Sequence, residues 1–215
     1  IVGDVTSDDA FAAAEKAFGG WPRGVVPEPT YPDPPTPTRR LVIIDKTDAV
    51  QTSIRVGQLA IPRKHPDYFA WDLAVKILGG EGANRLHQVL RSQYALTYGA
   101  QADTQARKAA GDYVAETDTR TETTGQALRL MVDEFSRLQR DKVGERELAD
   151  AQAYLAGSFP ITVETPDQIA TQVLNVLFYD LPITDVGSFR ERVQAVTDRK
   201  STRLNSSHIT ISYAV

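Results

Sequence analysis

A chain of 215 residues, 41% hydrophobic and 24% charged, has the make-up of one good-sized globular domain, or one with part of another, and can bury a real core. Its formal charge of −4 argues against a general nucleic-acid binder, which needs a basic face, and no apolar run approaches the ~18 residues that span a bilayer. The absence of cysteine excludes disulfides, thiolate metal sites and a cysteine nucleophile.

The chain opens without Met or a basic leader, so its beginning, with any targeting signal, is expected to be missing. Residues 1–5 read as the end of a strand, followed by a helix that Ser7 is placed to cap. Asp8 and Asp9 complement its dipole, and Gly19 and Gly20 stop it. Seven of the sixteen residues in 22–37 are proline, which fixes φ and removes a donor. That stretch is expected to be an extended, semi-rigid connector between two units, with a proline-type recognition ligand as the rival reading.

Beyond the connector, "RRLVIIDK" reads as a short buried strand and "QTSIRVGQLAI" as a second. In the second, Ile54 and Val56 alternate, but the phase slips at Gly57 so that Leu59 and Ile61 continue it, which predicts a bulge. A helix follows with Phe69, Leu73 and Ile77 on one face and Gly79 and Gly80 as its stop. "ANRLHQVLRSQ" predicts a shorter helix. "LTYGAQADTQA" and "GDYVAETDT" then predict antiparallel strands joined around residues 108–111.

The remainder is helical. Leu128, Met131, Val132, Phe135 and Leu138 form a 3.6-residue stripe, and Leu148, Ala151 and Leu155 mark the next helix. "TPDQ" at residues 165–168 offers an N-cap, a proline at the first helical position and a capping-box partner, with Ile169, Val173 and Val176 on the buried face. Strands first and helices after, with antiparallel pairing, give an α+β fold: a mainly antiparallel sheet with helices packed on one face. Residues 198–215, "DRKSTRLNSSHITISYAV", break this pattern and read codon by codon like a translated sequencing-library adapter; they are set aside as an artefactual tail.

Self-sufficient catalytic chemistry is missing from the pattern. His65 and His87 stand 22 residues apart without a carboxylate at ligand spacing; both read as structural or solvated, His87 on an exposed helix face. No H-E-x-x-H, H-x-x-E-H, G-x-S-x-G or phosphate-cradling glycine loop occurs. On residue chemistry alone, Arg91 closes its helix against the dipole and Tyr98 packs in the sheet.

"ILGGEGANRLHQVLRSQYALTYGA" nevertheless resembles the second, zinc-free half of the insulinase–pitrilysin–processing-peptidase family, the inverzincins. Gly79 and Gly80, then Asn84, Arg85 and Leu86, then Leu90 and Arg91, then Leu96, Thr97, Tyr98 and Gly99 follow that family's order and spacing. Asn84 departs from a more usual Ser, and Tyr94–Ala95 from a pattern with Gly before the Leu. "GERELADAQAYLAGSF" and "VLFYDLPITDVGSFRERVQAVT" resemble later family segments, so the resemblance covers residues 1–197.

It implies four stretches: residues 1–21 closing a preceding repeat, a linker at 22–38, an incomplete zinc-free peptidase-family domain at 39–197, and the tail at 198–215. It also implies a clamshell whose other half, in the same chain or a partner subunit, holds zinc, while this fragment binds none. Arg91 would bind a carbonyl of the peptide substrate, and Tyr98 would bind the same region and stabilise the oxyanion. The parent assembly would be a zinc metalloendopeptidase, periplasmic or extracellular. The alternative is a non-catalytic scaffolding subunit of the same family.

Overall fold

The computed structural model describes residues 1–28, 30, 32, 38, 40–80 and 84–197, together with the backbone of 212–214. Seven of the sixteen residues of the proline-rich connector (22–37) and most of the adapter-like tail lie outside these residues.

The elements in chain order are α1 (Ser7–Phe18), β1 (Arg40–Val42), β2 (Gln51–Ala60), α2 (Tyr68–Gly79), a π-helical segment (His87–Gln93), β3 (Ala100–Ala106), β4 (Gly111–Arg120), α3 (Thr124–Arg140), α4 (Glu145–Ser158), α5 (Pro166–Phe178), α6 (Phe189–Gln194) and β5 (Ser212–Ala214). They build an α+β fold around a five-stranded sheet of order β1-β5-β2-β4-β3, antiparallel except where β1 runs parallel to β5.

β2 and β4 pair without interruption from Gln51 opposite Arg120 to Ala60 opposite Gly111, so the bulge expected at Gly57 is absent. The inward row simply continues from Ile54 and Val56 to Gln58, which is only 8% exposed and has no partner for either amide atom among the described residues. A polar residue in an inward position mimicked a phase slip. The residues expected to end a strand at 1–5 form none: no strand among the described residues pairs with them. Thr6, not Ser7, caps α1, accepting from the Asp9 N–H.

The helices lie over the inward face, and α2 is central. It buries Ala70, Trp71, Ala74, Val75 and Leu78 as well as the expected Phe69, Leu73 and Ile77, because β3, α3, α4 and α6 all touch it. A broad apolar surface, interrupted by the half-buried Asp72 and Lys76, is what a helix packed on several sides requires. Trp71 Nε1 donates to Thr104 Oγ1 at 3.1 Å, satisfying the one polar atom of that ring. At the end of α2, Gly79 lies so close to Ala102 that a Cβ would collide with the Ala102 backbone nitrogen. That contact seats the helix end directly on β3.

From α3, Met131, Phe135 and Leu138 enter the core, with Phe135 stacked on Tyr113 of β4. Before α6, the buried Asp185 accepts from Arg63 at 2.9 Å and also pairs with Arg192; the two guanidiniums rest on the Tyr68 and Phe69 rings. Thr165 and Gln168 form the expected capping box at α5. Val176 is buried, but Ile169 is exposed, and so are Leu174, Leu177 and Phe178. The α1 helix buries none of its residues.

Candidate functional site

A cleft of about 870 Å3 opens where the edge strand β3 meets the end of α2 and the π-helical segment. Its walls combine outward-facing side chains of the sheet (Arg55, Asp103, Glu116) with Gly79, Gly80, Asn84 and His87 from the helical side. Both Arg91 and Tyr98 line it.

Local hydrogen bonding fixes the segment that carries Arg91. Asn84 Nδ2 donates to the Gly80 carbonyl, while its Oδ1 accepts from the His87 N–H at 2.8 Å. Asn84 therefore caps the new helical turn, the job that Ser also performs in such positions, so this departure from the family pattern leaves the cap intact. Arg85 reaches α4 through two bonds to Glu147, at 2.6 and 2.8 Å. Its ionisation is pushed up chiefly by that paired carboxylate, against a lowering from burial.

The segment is wound as a π-helix, a rare geometry that recurs at functional positions. It closes with Ala95 at a φ of 50°, and Leu96 N–H donates to the Leu90 carbonyl at 2.8 Å. A left-handed residue at that place favours glycine, which explains why a Gly is common there in the family.

The turn bearing Tyr98 is held from behind. Thr97 Oγ1 donates to the Gly99 carbonyl at 2.8 Å, Thr117 Oγ1 of β4 lies 3.0 Å from Thr97 Oγ1, and Thr119 Oγ1 donates to the Leu96 carbonyl at 2.8 Å. Buried threonines thus anchor the backbone while the phenol stays free: Tyr98 is 90% exposed. It does not pack in the sheet, contrary to the reading from residue chemistry alone, because it precedes β3 in a turn.

Charges in the cleft are mostly paired. Lys76 Nζ lies 3.0 Å from Asp103, and Arg55 Nε 3.5 Å from Glu116. Burial lowers the affinity of Lys76 for its proton, but the bond to Asp103 and the nearby Asp72 more than offset this, so its pKa ends up raised. Arg91 differs. Among the described residues its recorded partner is the His87 ring, with Nη1 3.3 Å from Nε2, and it forms no ion pair with a carboxylate. His87 is thus half-buried in the cleft rather than solvated on an outer helix face, and the i, i+4 spacing to Arg91 was the available signal. His65 is structural: its Nδ1 accepts from the Asp67 N–H at the entry to α2.

A family model described as the peptidase M16 inactive domain matches residues 1–155. The chain belongs to the peptidase M16 family. The M16 chain resembles the crystal structure of a peptidase M16 inactive domain from Pseudomonas fluorescens, with a TM-score of 0.85 and 29% identity, over 99% of this chain and 52% of that one. A protease from Helicobacter pylori gives a TM-score of 0.88 at 17% identity, over 99% and 53% of the two chains. The periplasmic protease PqqL from Escherichia coli gives 0.76 at 15%, over 99% and 24%. The latter two share the fold. This M16 chain spans about half the length of the first two structures. A comparison with curated proteins returns no match. The sequence resemblance reached residue 197; the family model ends at 155, within α4, and structural similarity carries through the rest.

Zinc belongs to the active half in this family, and the residues of the M16 domain described here do not fit a site for it. Among them, no group of three or more His, Cys, Asp or Glu side chains is arranged to hold a metal ion. Nor is any described helix long and apolar enough to cross a membrane.

Proposed function

We propose that this chain is the substrate-binding, zinc-free half of an insulinase-like metalloendopeptidase, and that Arg91 and Tyr98 are its contacts to the peptide. The observation that carries the reading is their common placement. Both line one cleft at the sheet edge; the phenol is exposed, and the guanidinium has no carboxylate partner among the described residues.

A peptide backbone offers carbonyl oxygens, and both groups can donate to them. Guanidinium brings several permanently charged donors in a rigid fork, whereas phenol brings one neutral donor with a long reach. During hydrolysis the carbonyl oxygen gains negative charge, so a donor already aimed at it stabilises the transition state more than the substrate. Holding these donors on a separate half ties the rate to closure around substrate. The hydrolytic centre itself belongs to the other half, in the same chain or in a partner subunit. A periplasmic or extracellular setting is part of the proposal, in keeping with the periplasmic protease among the similar structures.

The test is Tyr98→Phe in the full-length protein together with its H-x-x-E-H half. Removing one such donor is expected to lower kcat at least ~10-fold, toward the ~10²-fold typical of oxyanion donors, with the melting temperature unchanged. An unchanged rate would remove the oxyanion role from Tyr98, whereas the absence of an H-x-x-E-H half from the protein and its subunit partners would point instead to a scaffolding subunit.

A further inference from the structure

The contact between Arg91 and His87 constrains the state of the imidazole. Arg91 Nη1 stands 3.3 Å from His87 Nε2, one helical turn earlier on the same segment. A guanidinium can only donate. The contact is a hydrogen bond only if Nε2 carries its lone pair, which makes the ring neutral with its proton on Nδ1. That Nδ1 is buried and has no partner among the described residues. A second proton would turn Nε2 into a donor facing a donor and set two cations side by side.

From this we infer that His87 is a positioning residue: its neutral ring holds the Arg91 guanidinium in the cleft, and protonation of the ring releases it, so that peptide binding weakens as the pH falls. The inference rests on the proposed role of Arg91 as a peptide contact. One bond to His87 leaves Arg91 most of its five donors for a ligand.

Other charges around the ring do not supply an alternative partner. Lys76 of α2 is bound to Asp103 of β3, and Arg55 of β2 to Glu116 of β4. Asp118 of β4 lines the same cleft without a recorded bond to either residue. Behind the segment, Arg85 is held by Glu147 of α4, and Glu134 of α3 by Arg137. These charges are held by carboxylate or cation partners of their own, whereas among the described residues the imidazole and the guanidinium have each other as side-chain partner.

Two measurements on the full-length protein decide it. Nitrogen-15 NMR of the histidine ring, assigned by loss of signal in His87→Gln, should show the Nδ1–H form at neutral pH. The Arg91 side-chain signals should then move with the same midpoint as the ring. An Nε2–H ring, or Arg91 signals indifferent to the titration, would overturn the inference.

Binding of a fluorescein-labelled, unstructured peptide supplies the second readout. His87→Phe should weaken it about fivefold at neutral pH, the worth of one hydrogen bond, and abolish the acid limb. His87→Gln keeps an acceptor that does not titrate, so it should restore neutral-pH affinity while leaving the curve flat. If Arg91→Ala weakens binding but His87→Phe behaves like the parent protein, the positioning role fails and the peptide-contact reading stands. If Arg91→Ala changes nothing at any pH, or the parent protein binds no peptide, both fall.

Discussion

At the residue scale, the cleft shows how burial and charge decide what a side chain can do. Asp72 stands half-buried on α2, and its carboxyl is pushed above the ordinary value of 3.8, first by burial and then by Asp103, against the pull of Lys76 and Arg63. A carboxyl raised in the folded state favours folding fully only below its unfolded pKa. As pH rises through the folded value, the ionised form becomes a cost. Asp72→Asn is therefore expected to raise the thermal midpoint at pH 7 and to do so less near about pH 4, where more of the native residue is protonated. Equal gains at both values would show that ionisation of Asp72 plays no part. Some of this scale was legible. The Arg91 and Tyr98 spacing pointed to one region, whereas the contact with His87 was passed over because a lone histidine is more often solvated.

At the scale of elements, the readings that succeeded were those with a local cause. The capping box at Thr165 needs only four residues to form, and the β3–β4 hairpin needs only its alternation and its turn. Failures came where tertiary context intervened: Gln58 keeps its inward place although it is polar, and α2 is buried on most of its sides by neighbours that periodicity cannot announce. The π-helical segment combines both cases. Its N-terminal cap is local, but its left-handed close at Ala95 was visible only as a missing glycine. Replacing Ala95 by Gly should remove the strain of a Cβ in that conformation and stabilise the fold by about 0.5–1 kcal/mol, net of the added freedom of the unfolded chain. Chemical denaturation reads this directly. A destabilised Ala95→Gly protein would mean that the methyl group makes contacts outweighing the strain.

At the scale of the whole molecule, the core gathers around α2, while α1 stands outside it with Phe11, Phe18 and Trp21 exposed. A 12-residue helix that buries none of its residues is marginal in water. Deleting residues 1–21 should accordingly shift the melting temperature of the remainder by no more than about 2 °C. A larger drop would show that α1 packs on this domain in solution. The sequence placed α1 and its stop correctly but could not show what it lacks, since an apolar stripe looks the same whether or not its counterpart is present.

The sheet carries a last consequence. Among the described residues, Ser212–Ala214 is the one segment joining β1 to the rest of the strands, and it is held through main-chain pairing on both sides. Backbone pairing takes no notice of spelling, which is why a stretch that looked foreign to the protein can still occupy that slot. The first and last strands therefore share a single seam: when residues 212–214 peel away, Arg40–Val42 loses its pairing with the other described strands, and β1 and β5 come loose as one event.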